Sequence, residues 1–279
     1  MDPVQALVLG LVQGLTEFIP VSSSAHLIIV PWLLGWPDPG LAFDAALHLG
    51  TLLAVLAFFA RDWVVLARAF LASLLECSLG PDHNRLLAWL VLVGSIPGAI
   101  AGVLLDHTVE AFFHSPGSAH SASSLLVMAA LILGLAAALW LAEAVARHSR
   151  SMETLGWRDA IVIGLAQAAA LLPGVSRSGA TITAGLFLGL DRTAAARVSF
   201  LLATPIVAGA GAKKVYDALK AGLSSGDQAA FALGLLAAAV SGYLCISFLL
   251  RYLQRNSTLP FVLYRVALAA VIAVMALTR

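Results

Sequence analysis

Three long stretches of this chain hold no charged residue: Leu86–Leu105, Ser121–Ala142 and Gln228–Leu250. Each is long enough, at about 1.5 Å per residue, to cross the ~30 Å hydrocarbon core of a bilayer as a helix. Ala42–Ala60, Thr193–Ala212 and Ser257–Thr278 also qualify, with Asp44, His48, Arg197 or Arg265 embedded in them. Only 11% of the residues are charged, against roughly 25% in a soluble domain. The windows therefore predict an all-α integral membrane protein of about six spans. A formal net charge of +1 argues against a nucleic-acid partner and leaves the bilayer as the expected surroundings.

Two polar stretches interrupt the apolar sequence, and they resemble each other. One runs Gly10-Leu-Val-Gln-Gly-Leu-Thr-Glu-Phe-Ile-Pro-Val-Ser-Ser-Ser-Ala-His26. The other runs Gly164-Leu-Ala-Gln-Ala-Ala-Ala-Leu-Leu-Pro-Gly-Val-Ser-Arg-Ser-Gly-Ala-Thr181. A shift of 154 brings Val8, Gly10, Leu11, Gln13, Val21, Ser22 and Ser24 onto Val162, Gly164, Leu165, Gln167, Val175, Ser176 and Ser178. A diverged internal repeat follows, with residues 1–120 as one half and 121–279 as the other within a single membrane domain. Pro3–Thr16 is too short to span comfortably. With Ala25–Leu34 it reads as a re-entrant helical hairpin, as do Ala160–Val175 and Ser178–Leu190 around Pro173, Gly174 and Arg177. A single kinked span at each place is the rival reading.

Loop charges orient the chain. With both hairpins re-entrant, Arg61, Arg68, Arg85, Arg147, Arg150, Arg158, Arg192, Arg251 and Arg255 share one side, and Lys213, Lys214, Lys220 and Arg279 the other. The richer side is expected to be cytoplasmic. Both termini and the site's opening then lie outside, on the periplasmic side of a bacterial inner membrane. The two hairpins would enter from opposite sides, as in an inverted-topology repeat. Asp2 stands where a signal peptide would be basic, so the first apolar segment is expected to be retained. Cys77 and Cys245 are isolated and read as packing residues.

The breaks carry the chemistry. Ser22 reads as the N-cap of an apolar helix, and Ser176 opens the second half-helix in the same way. Helix starts of this kind bind anions, phosphate above all. Arg177 adds a planar bidentate donor. An arginine at mid-membrane costs about 2.5–3.5 kcal/mol and so needs a partner, which Glu17 or a bound phosphate supplies. Glu17 follows Gln13 by four residues and shares its helix face. It could bind a divalent cation, orient a catalytic group or pair with Arg177. His26 stands one helical turn after Ser23, and a Ser–His pair is the minimal activated nucleophile. Asp44 and His48, an i, i+4 pair, read as support behind the site, as a proton path or as a satisfied structural pair. Arg265 reads as a snorkelling residue. His107, His114 and His120 are too loosely spaced to suggest a metal site.

Glu17-Phe-Ile-Pro-Val-Ser-Ser-Ser-Ala-His26 and Pro173-Gly-Val-Ser-Arg-Ser-Gly-Ala-Thr181 resemble the two signature motifs of bacterial undecaprenyl-pyrophosphate phosphatases, the bacitracin-resistance proteins. Phe43–Thr51 and Ser95–Gly102 resemble further segments of that family. The resemblance implies hydrolysis of the terminal phosphate of undecaprenyl pyrophosphate, yielding the carrier lipid for peptidoglycan synthesis. It implies Glu17, Ser22, Ser23, His26, Ser176, Arg177 and Thr181 as site residues. Of the candidates, Glu17, Ser23, His26 and Arg177 read as catalytic, and Ser22, Ser24, Ser176, Ser178, Thr181 and Gln13 as lining the substrate. A divalent cation, Mg²⁺ or Ca²⁺, is implied on Glu17. The family's acidic motif has Gln13 at its first position here, leaving one carboxylate. Ser23 attacking with His26 as proton acceptor, His26 itself attacking, and direct attack by water all stay open. So does a transporter or flippase of a phosphorylated lipid, which would use the same mid-membrane anion site. A homodimer is allowed for, with no residue pattern deciding it.

Overall fold

The structure is a computed structural model that describes residues 1–113, 121–221 and 225–278. Within these, side chains are described except at 41, 106–113, 210, 212–221 and 225–227. Expectations for His114, His120 and Arg279 thus fall outside the described residues, and those for His107, Lys213, Lys214 and Lys220 outside the described side chains.

Eleven α-helices make up the described fold: α1 Pro3–Phe18, α2 Ser23–Leu33, α3 Leu41–Phe58, α4 Ala60–Leu75, α5 His83–Phe113, α6 Ala122–Val145, α7 Trp157–Ala169, α8 Arg177–Phe187, α9 Arg192–Ala221, α10 Ser225–Leu253 and α11 Leu259–Leu277. A single bridge, Arg150 with Leu190, is the sole β-type pairing among the described residues. Local sequence starts the helices where expected. Asp2 caps α1 by accepting from the Val4 N–H at 2.9 Å, with Pro3 at the first helical position. Ser121 caps α6 by accepting from Ser124 at 3.2 Å.

Among the described residues, four helical stretches are long and apolar enough to cross a membrane: His83–Leu105, Ala122–Val145, Gln228–Leu253 and Leu259–Leu277. A fifth counts if Ala42–Phe58 and Ala60–Leu75 form one span, although the two are bent by 78°. The expected span Thr193–Ala212 lies inside α9, whose first turns carry Arg192 and Arg197. Residues 210 and 212 of that span lie outside the described side chains.

Helix α2 turns back along α1. Ala6 and Leu27 share one buried cluster with Phe43, Leu47 and Ala238, and Val30 packs on it. On one continuous helix Ala6 and Leu27 would stand ~30 Å apart. The same helix lays Ala25 and Ile29 against Met128, Ile132, Ala269 and Ile272 of α6 and α11.

Packing follows a paired scheme: α1 lies on α10, α7 on α5, α3 on α10 and α9, and α9 on α5 and α8. Small residues permit the closest approaches, as in membrane bundles generally. A Cβ on Gly10 would meet the Gly234 carbonyl carbon at 3.1 Å, and one on Gly164 the Gly94 carbonyl carbon at 3.1 Å. Any side chain at either position would push α1 off α10 or α7 off α5.

Candidate functional site

Both breaks turn through strained backbone. Ser22 has φ 78° and Ser176 φ 70°, both left-handed values that cost a non-glycine residue about 1–3 kcal/mol. The two serines correspond under the 154-residue shift. Each hydroxyl faces that of the serine two residues on, Ser22 to Ser24 and Ser176 to Ser178, at 3.3 Å. The turns bring Ser23 and Arg177, again corresponding residues, to the first positions of α2 and α8. The caps differ. Ser176 Oγ accepts from the Gly179 N–H at 3.1 Å, whereas Ser22 makes no side-chain cap bond.

The two breaks meet at Glu17. Arg177 donates through Nη2 to Glu17 Oε1 at 2.6 Å. Ser23 donates through Oγ to Glu17 Oε2 at 2.5 Å, and Gln13 donates through Nε2 to the same oxygen at 3.0 Å. His48 Nε2 stands 3.9 Å from Oε2. Ser178 Oγ donates to the Ile19 carbonyl at 3.1 Å, a second tie between the breaks. The Glu17 side chain is 5% exposed and that of Arg177 16%, so the pair lies at the floor of the site. Two polar atoms here are buried without a protein partner: Arg177 Nη1, a donor, and Gln13 Oε1, an acceptor. An anion would satisfy the first and a cation the second.

The expected Ser23–His26 hydrogen bond is replaced by Ser23–Glu17. Helical side chains lean toward the N-terminus, and the His26 ring reaches back to the Ser22 carbonyl, with Nδ1 at 2.7 Å. Its Nε2 lies 2.7 Å from the Tyr264 hydroxyl. Both ring nitrogens are therefore occupied away from Ser23. Thr181 is fully buried, and its hydroxyl lies 2.6 Å from Ser199 Oγ and 2.8 Å from the Arg177 carbonyl. It ties α8 to α9 behind the anion site. His48 holds its ring on the Asp44 carbonyl, Nδ1 at 2.7 Å.

Arg265 does not snorkel. It is 0% exposed and donates to carbonyls of both breaks and of α6: Pro20 at 3.3 Å, Gly174 at 2.9 Å, Val175 at 3.4 Å and Ile132 at 3.2 Å. The argument that an intramembrane arginine needs partners, applied to Arg177, holds equally for Arg265. In sequence Arg265 reads as snorkelling because it stands in an unbroken apolar run, with no turn residue within four positions on either side. Tyr264 beside it carried no signal.

No three His, Cys, Asp or Glu side chains cluster to cage a metal among the described residues. A Mg²⁺-type ion needs only one or two protein oxygens, the rest coming from substrate phosphate and water. Glu17 and the unpartnered Gln13 Oε1 fit that manner of binding.

A family described as Bacitracin resistance protein BacA matches residues 6–271. The chain is 51% identical over 272 residues to the undecaprenyl-diphosphatase of Thermomicrobium roseum, covering 98% of this chain and 97% of that one. It is 47% identical over 274 residues to the undecaprenyl-diphosphatase of Moorella thermoacetica, covering 98% and 97%. Undecaprenyl-diphosphatase 2 of Stutzerimonas stutzeri is 46% identical over 278 residues, covering 99% and 98%.

Proposed function

The chain belongs to the bacitracin resistance protein BacA family, and from that premise we propose how its residues act as an undecaprenyl-diphosphatase. It is a membrane hydrolase that removes the terminal phosphate of a lipid-linked polyprenyl diphosphate. The observation that carries the site assignment is one carboxylate, Glu17, held between a hydroxyl of the first break and a guanidinium of the second.

The diphosphate lies between the two breaks, its prenyl tail among the spans. Arg177 turns its unpartnered Nη1 to the phosphate. The uncapped start of α2, around Ser22 and Ser24, offers N–H groups to the anion. Ser176 and Ser178 shape the opposite wall. Ser23 Oγ attacks the terminal phosphorus, its proton passes to Glu17 Oε2, and the bridging P–O bond breaks to release the prenyl monophosphate. Water then cleaves the phosphoserine. Both His26 nitrogens are engaged elsewhere, which favours Ser23 over His26 as nucleophile and Glu17 over His26 as proton acceptor. Phosphoryl transfer draws mainly on positioning and charge neutralisation, and arginine, helix start and carboxylate supply these. Glu17 and Gln13 would hold a divalent cation, Mg²⁺ or Ca²⁺, which when bound neutralises phosphate charge. Asp44 and His48 steady Glu17 from behind.

The membrane arrangement is an inverted repeat with two re-entrant hairpins and about six spans. Three observations support it. Gly10 and Gly164 correspond and press on α10 and α5 respectively. Ser22 and Ser176 share their backbone. The Gln13 and Gln167 carbonyl oxygens are both buried without a partner. Loop arginines put both termini and the site opening on the periplasmic side of the inner membrane. An impermeant thiol reagent added outside should then leave a Ser149→Cys chain unlabelled; labelling there reverses the orientation.

Phosphate release from undecaprenyl diphosphate by the purified chain in detergent tests the function. The unsubstituted chain should turn over. Ser23→Ala should melt normally and lose ~10³-fold or more in kcat. Unchanged turnover in Ser23→Ala would remove the serine nucleophile.

A further inference from the structure

Helix α11 supplies none of the bond-making groups, yet two adjacent residues in it touch the site from behind. Arg265 is buried among carbonyls of three separate elements, the two breaks and α6. It forms no ion pair among the described residues. A charge so placed is expensive unless its geometry is used. Its planar fork can hold several divergent carbonyls at once, which an ammonium cannot do.

Tyr264 serves the other end of the site. The Ser22 carbonyl can only accept a hydrogen bond, so the 2.7 Å contact requires the hydrogen on His26 Nδ1. Nε2 of the neutral ring then carries the lone pair, and the Tyr264 hydroxyl, 2.7 Å away, donates to it. The two rings lie nearly parallel, 13° apart with centroids at 5.7 Å. Tyr264 is 46% exposed, so it is not simply core.

We propose that Tyr264 and Arg265 are positioning residues for the hydrolysis, Arg265 holding the two breaks in register and Tyr264 fixing the tautomer and plane of His26. Without Arg265 the break carrying Ser23 and the break carrying Arg177 lose their common anchor. Without the Tyr264 hydroxyl the His26 ring keeps its stacking partner and loses its only Nε2 donor among the described residues. The inference rests on the site reading given above.

The test uses the full chain in detergent with three variants. Tyr264→Phe should lower kcat about 10–100-fold with KM within about threefold, as expected when the ring that braces the Ser22 carbonyl, next to Ser23, is misplaced. In ¹⁵N spectra, with His26 assigned by its loss in His26→Ala, the Nδ1–H tautomer should give way to a mixture. Arg265→Lys and Arg265→Met are read by the distance between spin labels at Thr16→Cys and Leu172→Cys, in a chain with Cys77→Ser and Cys245→Ala. A narrow distribution should broaden in both and stay narrow in Tyr264→Phe. Wild-type kcat with unchanged His26 signals in Tyr264→Phe overturns the role of Tyr264. A narrow distribution in both Arg265 variants overturns that of Arg265, and so does loss of the melting transition in both, which assigns Arg265 to the core. The nitrogen and distance readouts need no turnover, so they fail separately from the assignment of Ser23 as nucleophile.

Discussion

The turn after α1 and the turn after α7 use one backbone device for two tasks. Each forces a serine into left-handed φ, Ser22 and Ser176, and starts a short helix immediately after it. The corresponding side chains then part ways. Position 23 is a hydroxyl and position 177 a guanidinium; Glu17 and His26 correspond to Leu171 and Ala180. The second turn also caps its own helix, through Ser176 and Gly179, while the first leaves its helix start without a side-chain cap. In the proposed reaction one turn reacts and the other holds. The two turns share their strain, and differences at a few side chains supply the asymmetry that the proposed chemistry on an anion requires.

If the second turn holds phosphate by shape as well as by charge, Arg177→Lys should be nearly as damaging as Arg177→Ala, each lowering kcat/KM by ~10²–10³-fold. A lysine variant with most of its activity would reduce the second turn to a point charge. If the first turn owns the acidic chemistry, Glu17→Gln should lower kcat by ~10²-fold and flatten the response to added Mg²⁺ or Ca²⁺. A variant that remains fully metal-responsive would move the cation away from Glu17. The smallest effect concerns the caps. Ser176→Ala should lower stability by ~1 kcal/mol in thermal melts, a typical cost of a lost N-cap. Ser22→Ala, which removes no cap bond, should cost less. Equal losses would erase the structural difference between the turns.

The sequence exposed the parts of this arrangement that rest on local pattern. Proline, glycine and serine within apolar runs mark both turns, and the need of an intramembrane arginine for a partner led from Arg177 to Glu17, 2.6 Å away in the structure. Contacts set by side-chain direction were harder to read. Ser23 and His26 are one turn apart, which suggests a pair, but His26 leans back to the Ser22 carbonyl and Ser23 falls to Glu17. The 78° bend between α3 and α4 has no proline or glycine to announce it. Arg265 and Tyr264 act across 245 and 238 positions of chain, and no periodicity within α11 points to α2 or to the turns. Their roles follow from tertiary packing alone.

The central claim is that both turns build one reacting site, so that Ser23 and Arg177 act on the same phosphate. A double-mutant cycle with Ser23→Ala and Arg177→Ala, read as phosphate release per folded chain, tests it most directly. Residues acting in one step are strongly non-additive. The double variant should therefore be no more than a few-fold worse than the worse single variant. Losses that multiply in full would place the two residues in independent steps or sites and contradict the account.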